Sequence, residues 1–280
     1  MSSQSIGLPT CSLSTLVSRY IPTPKLSQIA RATHFDGLDL DYSGRPLPPP
    51  RDIATQLATD SLLVRSVWIP RTSRWSLWRP DAGGVFASAV AALTSATYLV
   101  TPLPQGAGSA LASLSVVRRV NGLRRADIHG RMVLAVSSEQ LVGGRIHLRQ
   151  MTLLRHLAEE WDFWLGLDML GPIDPRWEAE AVVALLGPRL CLVRTVGDVL
   201  IRPDNPLTRP AKRALTAIID DGHPRDIALR PDLSFPQRLW PAAVERACRA
   251  SASSVQHRIG LVESDRVVEM PGVPPSHHVG

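Results

Sequence analysis

One stretch limits the possible folds more than any other. Residues 160–198 read EWDFWLGLDMLGPIDPRWEAEAVVALLGPRLCLVRTVGD. A short apolar run, Trp164 to Asp168, ends in an acid, and a turn with Gly171 and Pro172 follows. Pro175 to Leu186 then has helical apolar spacing, Gly187 and Pro188 stop it, and a second apolar run ends at Arg194. Apolar runs too short for helices, separated by one helical pattern, make a strand–helix–strand unit with both strands buried. Two parallel strands joined this way need a right-handed crossover.

The unit recurs along the chain. Strands are expected at 6–13, 35–42, 62–69, 97–103, 131–137, 163–168, 189–194 and 226–230. Helices are expected over 25–33, 51–59, 85–94, 109–123, 152–161, 175–186, 207–221 and 236–251. Eight such units close into a (β/α)₈ TIM barrel of the α/β class, and 280 residues suit one such domain. The barrel is assigned to residues 1–262, with 263–280 a flexible C-terminal tail. An open doubly wound sheet is the competing architecture. It calls for a Gly-rich phosphate turn after the first strand, and LPTCSLST is not one.

Composition narrows the class further. The chain is 44% hydrophobic and 20% charged, which fits a large core. Its net charge of +6 comes almost wholly from arginine, since Lys25 and Lys212 are its lysines. That charge admits an anionic partner. Arg118, Arg119, Arg124 and Arg125 cluster without interleaved aromatics, which argues against nucleic acid. The three cysteines, Cys11, Cys191 and Cys248, are too scattered for a disulfide framework or a zinc site. No secretory leader is read, and the weakly polar run 85–100 is shorter than the roughly 20 residues a membrane span needs. A soluble cytoplasmic protein is expected. Oligomeric state is not legible.

In a barrel, side chains at strand C-termini project into the mouth, where active sites lie. The candidates are therefore Asp168 as a catalytic acid or base, and Asp39 and Asp41 on one face of FDGLDLDY. Arg194 and Arg230 end strands and can hold a carboxylate or phosphate. The loop after the third strand adds Arg71, Arg74 and Arg79 with Trp75 and Trp78, a set suited to binding a ligand or to packing the loop down. Each candidate has a plainer role. Asp168 can pair with Arg194 or Arg230, and the second-strand acids can cap a turn. No nucleophile elbow, Walker loop or paired metal-ligand motif is present, and no cofactor is expected.

Three fragments resemble the xylose-isomerase-like barrels, which include sugar phosphate isomerases and epimerases. They are FDGLDLD in the second strand, WLGLDMLG in the sixth and LGPRLCLVRTVGD in the seventh. The resemblance implies a (β/α)₈ barrel acting on a sugar-like substrate, with a divalent metal held by carboxylates and His at strand ends. Of the implied ligands, the sixth-strand Asp is Asp168. Its His partner falls at Gly171, and the fifth-strand Glu at Val136 or Ser137. The seventh-strand His falls near Arg194 and the eighth-strand Glu at Arg230. The expectation is therefore a sugar isomerase- or epimerase-like protein with a degenerate metal site, acting on or binding a small sugar-like or anionic metabolite. The alternative is a non-catalytic barrel binding a ligand or a protein. A nuclease-like DNA binder would need the metal that this set does not support.

Overall fold

The computed structural model describes residues 9–43, 46–58, 62–70, 82–103, 131–138, 148–171, 173, 178–200, 209–221, 223 and 225–269. Its centre is a closed barrel of eight parallel strands in sequence order, β8 pairing back to β1. The strands are β1 (Thr10–Ser14), β2 (Gly37–Asp41), β3 (Leu63–Trp68), β4 (Tyr98–Pro102), β5 (Arg131–Ser137), β6 (Trp164–Asp168), β7 (Leu190–Val196) and β8 (Asp226–Arg230). The expected (β/α)₈ barrel is present, and every expected strand lies within a few residues of an observed one.

The described helices are α1 (Thr23–Ala32), α2 (Pro50–Ala58), α3 (Ala82–Leu93), α4 (Leu148–Glu160), α5 (Ala179–Leu186), α6 (Arg209–Asp221) and α7 (Pro241–Glu269). In α6, Pro210 stands in the first turn, where its missing N–H costs nothing. Ala211, Ala214, Leu215, Ile218 and Ile219 form its buried stripe. The last helix begins five residues later than expected, at Pro241 rather than Pro236, and runs past Ser251 to Glu269. Residues 263–269, expected in the tail, are therefore helical. The helix expected over 109–123 lies outside the described residues.

Strand alternation divides the core in two. Outward side chains such as Leu13, Leu38, Leu40, Val67, Leu134, Leu167 and Val193 pack against the helices. Inward ones form a separate cluster within the barrel, with Trp68, Val100, Val133, Ala135, Leu192 and Ala228 among them. At Gly37 an added Cβ would lie 2.7 Å from the Leu63 carbonyl oxygen and 2.6 Å from Arg65 Cγ, so only glycine lets β3 approach so closely. The register between β2 and β3 slips just beyond this point, between Leu38 and Asp39. The interior is not wholly apolar: Ser12, Ser14, Asp39, Asp41, Ser66, Asp168, Arg194 and Asp226 are all buried. Among the described residues, no helix is long and apolar enough to cross a membrane.

Candidate site at the barrel mouth

Inward side chains at the strand C-termini shape the mouth. The register sets Asp41 beside Trp68, Ser137 beside Asp168 and Val196 beside Arg230. A cavity of about 300 Å³ opens there, lined by Leu16, Asp41, Ser43, Ser137, Ser138, Asp168, Leu170, Gly171 and Arg230. Val136 points outward into the helix layer. Ser137 is thus the fifth-strand residue that faces the cavity.

Arg194 lies below this cavity. Strand β7 continues to Val196, two residues past the expected end. Arg194 therefore sits one layer down and is completely buried. Its Nε donates to Asp39 Oδ2 at 3.0 Å, and its Nη1 to Asp41 Oδ2 at 2.8 Å. Nη2 lies 3.0 Å from the same Asp39 oxygen but makes no hydrogen bond. The guanidinium carbon stands 3.3 Å from the centroid of the Trp68 ring, a stacked cation–π contact inside the barrel. Asp39 Oδ1 also accepts from Ser66 Oγ and Trp68 Nε1.

The charges in this network hold one another. Burial works against the charged form of Arg194, but Asp39, Asp41 and Asp168 raise its pKa further still. Burial raises the Asp39 carboxyl despite the pull of Arg194 and the Ser66 hydroxyl. Every partner of Asp39 is a donor, so the carboxylate is the form that fits this geometry. Asp41 is engaged at both oxygens, since Oδ1 accepts from the Ser43 N–H at 2.8 Å.

Arg230 is placed differently. It ends β8 as expected, lines the cavity and is only partly buried. Among the described residues its Nε has no hydrogen-bond partner. Burial and the neighbouring Arg238 lower its pKa, opposed by Asp232 and Asp168. Asp168 lines the same cavity, and its Oδ1 accepts from the Leu170 N–H at 3.4 Å. Ser138, which sequence reading passed over, lies in the cavity wall with a hydroxyl that has no partner among the described residues. Arg71, Arg74, Trp75, Trp78 and Arg79 lie outside the described residues, as do Arg118, Arg119, Arg124 and Arg125. The three cysteines are free and buried. Burial raises the pKa of all three thiols, that of Cys248 to about 12, so none suits a nucleophile.

No protein-family model and no curated protein matches the sequence. Solved structures do match. A sugar phosphate isomerase/epimerase from Parabacteroides distasonis aligns with a TM-score of 0.63 at 12% identity, over 90% of this chain and 97% of that one. The D-psicose 3-epimerase of Clostridium cellulolyticum H10 aligns at 0.62 and 11%, over 89% and 99%. An L-ribulose 3-epimerase aligns at 0.64 and 13%, over 95% and 100%. The chain shares the (β/α)₈ barrel fold of these structures. At such identities the likeness carries architecture, and chemistry must come from the residues.

The metal that the resemblance implies for a xylose-isomerase-like barrel does not fit the donors at these positions. The five implied ligand positions hold Asp168, Gly171, Ser137, Arg194 and Arg230, a single carboxylate with two guanidinium groups that have no lone pair to give. Asp41 adds a second carboxylate to the cavity, but both its oxygens are already bound. Among the described residues, no group of three or more His, Cys, Asp or Glu could hold a metal ion.

Proposed function

We propose that this barrel is sugar isomerase- or epimerase-like and takes a small sugar-like or anionic metabolite at its mouth, without a divalent metal. The observation that carries the proposal is Arg230. It is a guanidinium in the cavity wall whose Nε has no hydrogen-bond partner among the described residues, and it shares that wall with Ser137, Ser138 and Asp168. A guanidinium selects a carboxylate or phosphate group. Serines and a carboxylate suit the hydroxyls of a sugar. The sugar-epimerase names among the structural neighbours support the same substrate class.

In the catalytic form of this reading, Asp168 removes a proton from a carbon next to a carbonyl, and Arg230 stabilises the developing oxyanion. Asp39 holds Arg194 in place and does not touch substrate, and Asp41 takes the cavity-facing position. A second reading, a binding barrel without catalysis, draws on the same network: Arg194 is neutralised by its own acids.

A thermal-shift screen with sugar phosphates and sugar acids is expected to give at least one stabilising ligand at millimolar concentration. Arg230→Ala should weaken that ligand about 10- to 100-fold, the loss of a hydrogen bond to a charged group. A screen with no hit, or a hit indifferent to Arg230→Ala, would refute the anion site. Deuterium uptake from D₂O into the bound sugar, followed by NMR, separates the two readings. Exchange that falls by about 100-fold or more in Asp168→Asn supports catalysis; binding without exchange supports the binding barrel.

Elemental analysis of protein purified without chelator should show no stoichiometric Mn²⁺, Mg²⁺ or Zn²⁺. A metal whose content falls in Asp168→Ala would restore the metal-dependent isomerase reading.

A further inference from the structure

The charges of the mouth limit which anion it can take. Among the described residues of the cavity wall, Arg230 is the one cation, and Asp41 and Asp168 are the acids. Arg230 ends β8, Asp168 ends β6 and Asp41 ends β2, so in the closed barrel a carboxylate stands two strands away on each side of the guanidinium. Two strand spacings are roughly 10 Å along the wall. The cation below adds little to the mouth, because Arg194 donates to Asp39 at 3.0 Å and to Asp41 at 2.8 Å and is neutralised by them. Of the other charges that act on Arg230, Asp232 is offset by Arg238. Ser138 supplies the second observation. It is 1% exposed, and its hydroxyl in the wall has no partner among the described residues. A buried hydroxyl in that state costs free energy that a ligand oxygen would recover.

One negative charge and two negative charges fare differently in such a site. The first charge on Arg230 gains the close attraction of the guanidinium, whose fork matches the two oxygens of a carboxylate. A phosphate monoester carries a second charge above its second pKa of about 6. That charge is attracted by one guanidinium at about 4 Å and repelled by two carboxylates at roughly 8–10 Å. Coulomb energy falls as the inverse of distance, so the two effects nearly cancel. The cost of dehydrating an ion meanwhile rises with the square of its charge, and nothing in the wall offsets the difference. The cavity of about 300 Å³ is at the lower end of the roughly 300–1,000 Å³ of small-molecule sites, which suits one sugar unit.

We propose that the ligand of the mouth is a single sugar acid, a uronate or aldonate, and that the site discriminates against sugar phosphates. Arg230 holds the carboxylate, Asp41 and Asp168 set the charge limit, and Ser138 pairs with a ligand oxygen. This rests on the reading of the mouth as an anion site.

Calorimetric titration of the full chain at about pH 8, where the phosphate is a dianion, compares matched pairs. They are glucuronate with glucose 6-phosphate and galacturonate with galactose 6-phosphate, with glucose and galactose as neutral controls. At least one uronate is expected to bind about 10-fold or more tighter than its phosphate and its neutral sugar. Asp168→Asn should narrow the uronate-to-phosphate ratio about 5-fold, because it removes one repelling neighbour of the second charge. Ser138→Ala should weaken the uronate about 3- to 10-fold without lowering Tm. A phosphate that binds as tightly as its uronate, or a ratio that Asp168→Asn leaves unchanged, overturns the sugar-acid inference but leaves the anion site standing. The wild-type ratio decides this even if the variant fails to fold. Wild-type affinity in Ser138→Ala overturns the role given to Ser138. Uronates that bind no better than the neutral sugars, or no binding by any probe at millimolar concentration, overturn the anion site and the inference together.

Discussion

Arg194→Ala is expected to destabilise the protein by about 3–5 kcal/mol, the usual result of removing one partner from a buried ion pair. For a chain of this size that is a fall in Tm on the order of 10 °C. The cause is the charge left behind. The carboxylates of Asp39 and Asp41 are buried, and each accepts from Arg194. Without the guanidinium, two buried carboxylates would be left without their counter-charge, and Trp68 would lose the cation stacked on its ring. The loss should therefore depend on the acids. Asp39→Asn with Asp41→Asn in the Arg194→Leu background should recover most of the stability, because neutral groups of similar shape remove the unpaired charge. A double-mutant cycle between Arg194 and Asp39, read by denaturant unfolding, measures the coupling directly. Arg194→Ala within about 1 kcal/mol of wild type, or a coupling near zero, would show that the network contributes little to the fold.

That network also marks how far the sequence could be read. The alternation in FDGLDLDY puts Leu38 and Leu40 on one face and Asp39 and Asp41 on the other, and the structure has them so. Period-two alternation is local, so it survives without knowledge of the partners. The length of β7 is not local. LCLVRTV has no turn residue before Gly197, and placing the strand end at Arg194 sets that side chain at the mouth, whereas two more residues of strand lower it into the barrel. Its bonds to Asp39 and Asp41 also cross the barrel between strands that are not neighbours, which only closure brings together. Arg230 ends its strand in both accounts, and its place at the mouth was legible. The choice between Val136 and Ser137 was settled by the pairing of Ser137 with Asp168.

The start of the last helix was misplaced for a related reason. PDLSFPQRLWP has the apolar content of a helix start, but Pro231, Pro236 and Pro241 recur at intervals of five. Each proline pushes the residue before it away from helical geometry. The spacing confines the regular helix to the residues from Pro241 onward, and it leaves Phe235 and Trp240 on either side of a single 3-10 turn, Gln237–Leu239.

The opposite end of the barrel gives the other large effect. Asp226 is the first residue of β8 and is 2% exposed, and among the described residues neither carboxylate oxygen has a well-formed hydrogen bond. Burial pushes its pKa up to about 7; Arg65 and the Ser12 hydroxyl oppose this only in part, and Asp39 and Asp36 add to it. The unfolded chain titrates near 3.9. The folded protein thus holds this proton where the unfolded one has released it. The stability from this group is fully present below about pH 4, declines as pH rises, and levels off above about pH 7. Roughly three pH units at about 1.4 kcal/mol each make the loss on the order of 4 kcal/mol. Asp226→Asn has nothing to ionise, so it should flatten this decline and be more stable than wild type at pH 8 by up to about that amount. Denaturant unfolding of both proteins from pH 4 to pH 8 is the measurement. Parallel pH profiles, or a variant less stable than wild type at pH 8, would mean that Asp226 stays ionised in the folded protein, with a counter-charge or water satisfying its oxygens.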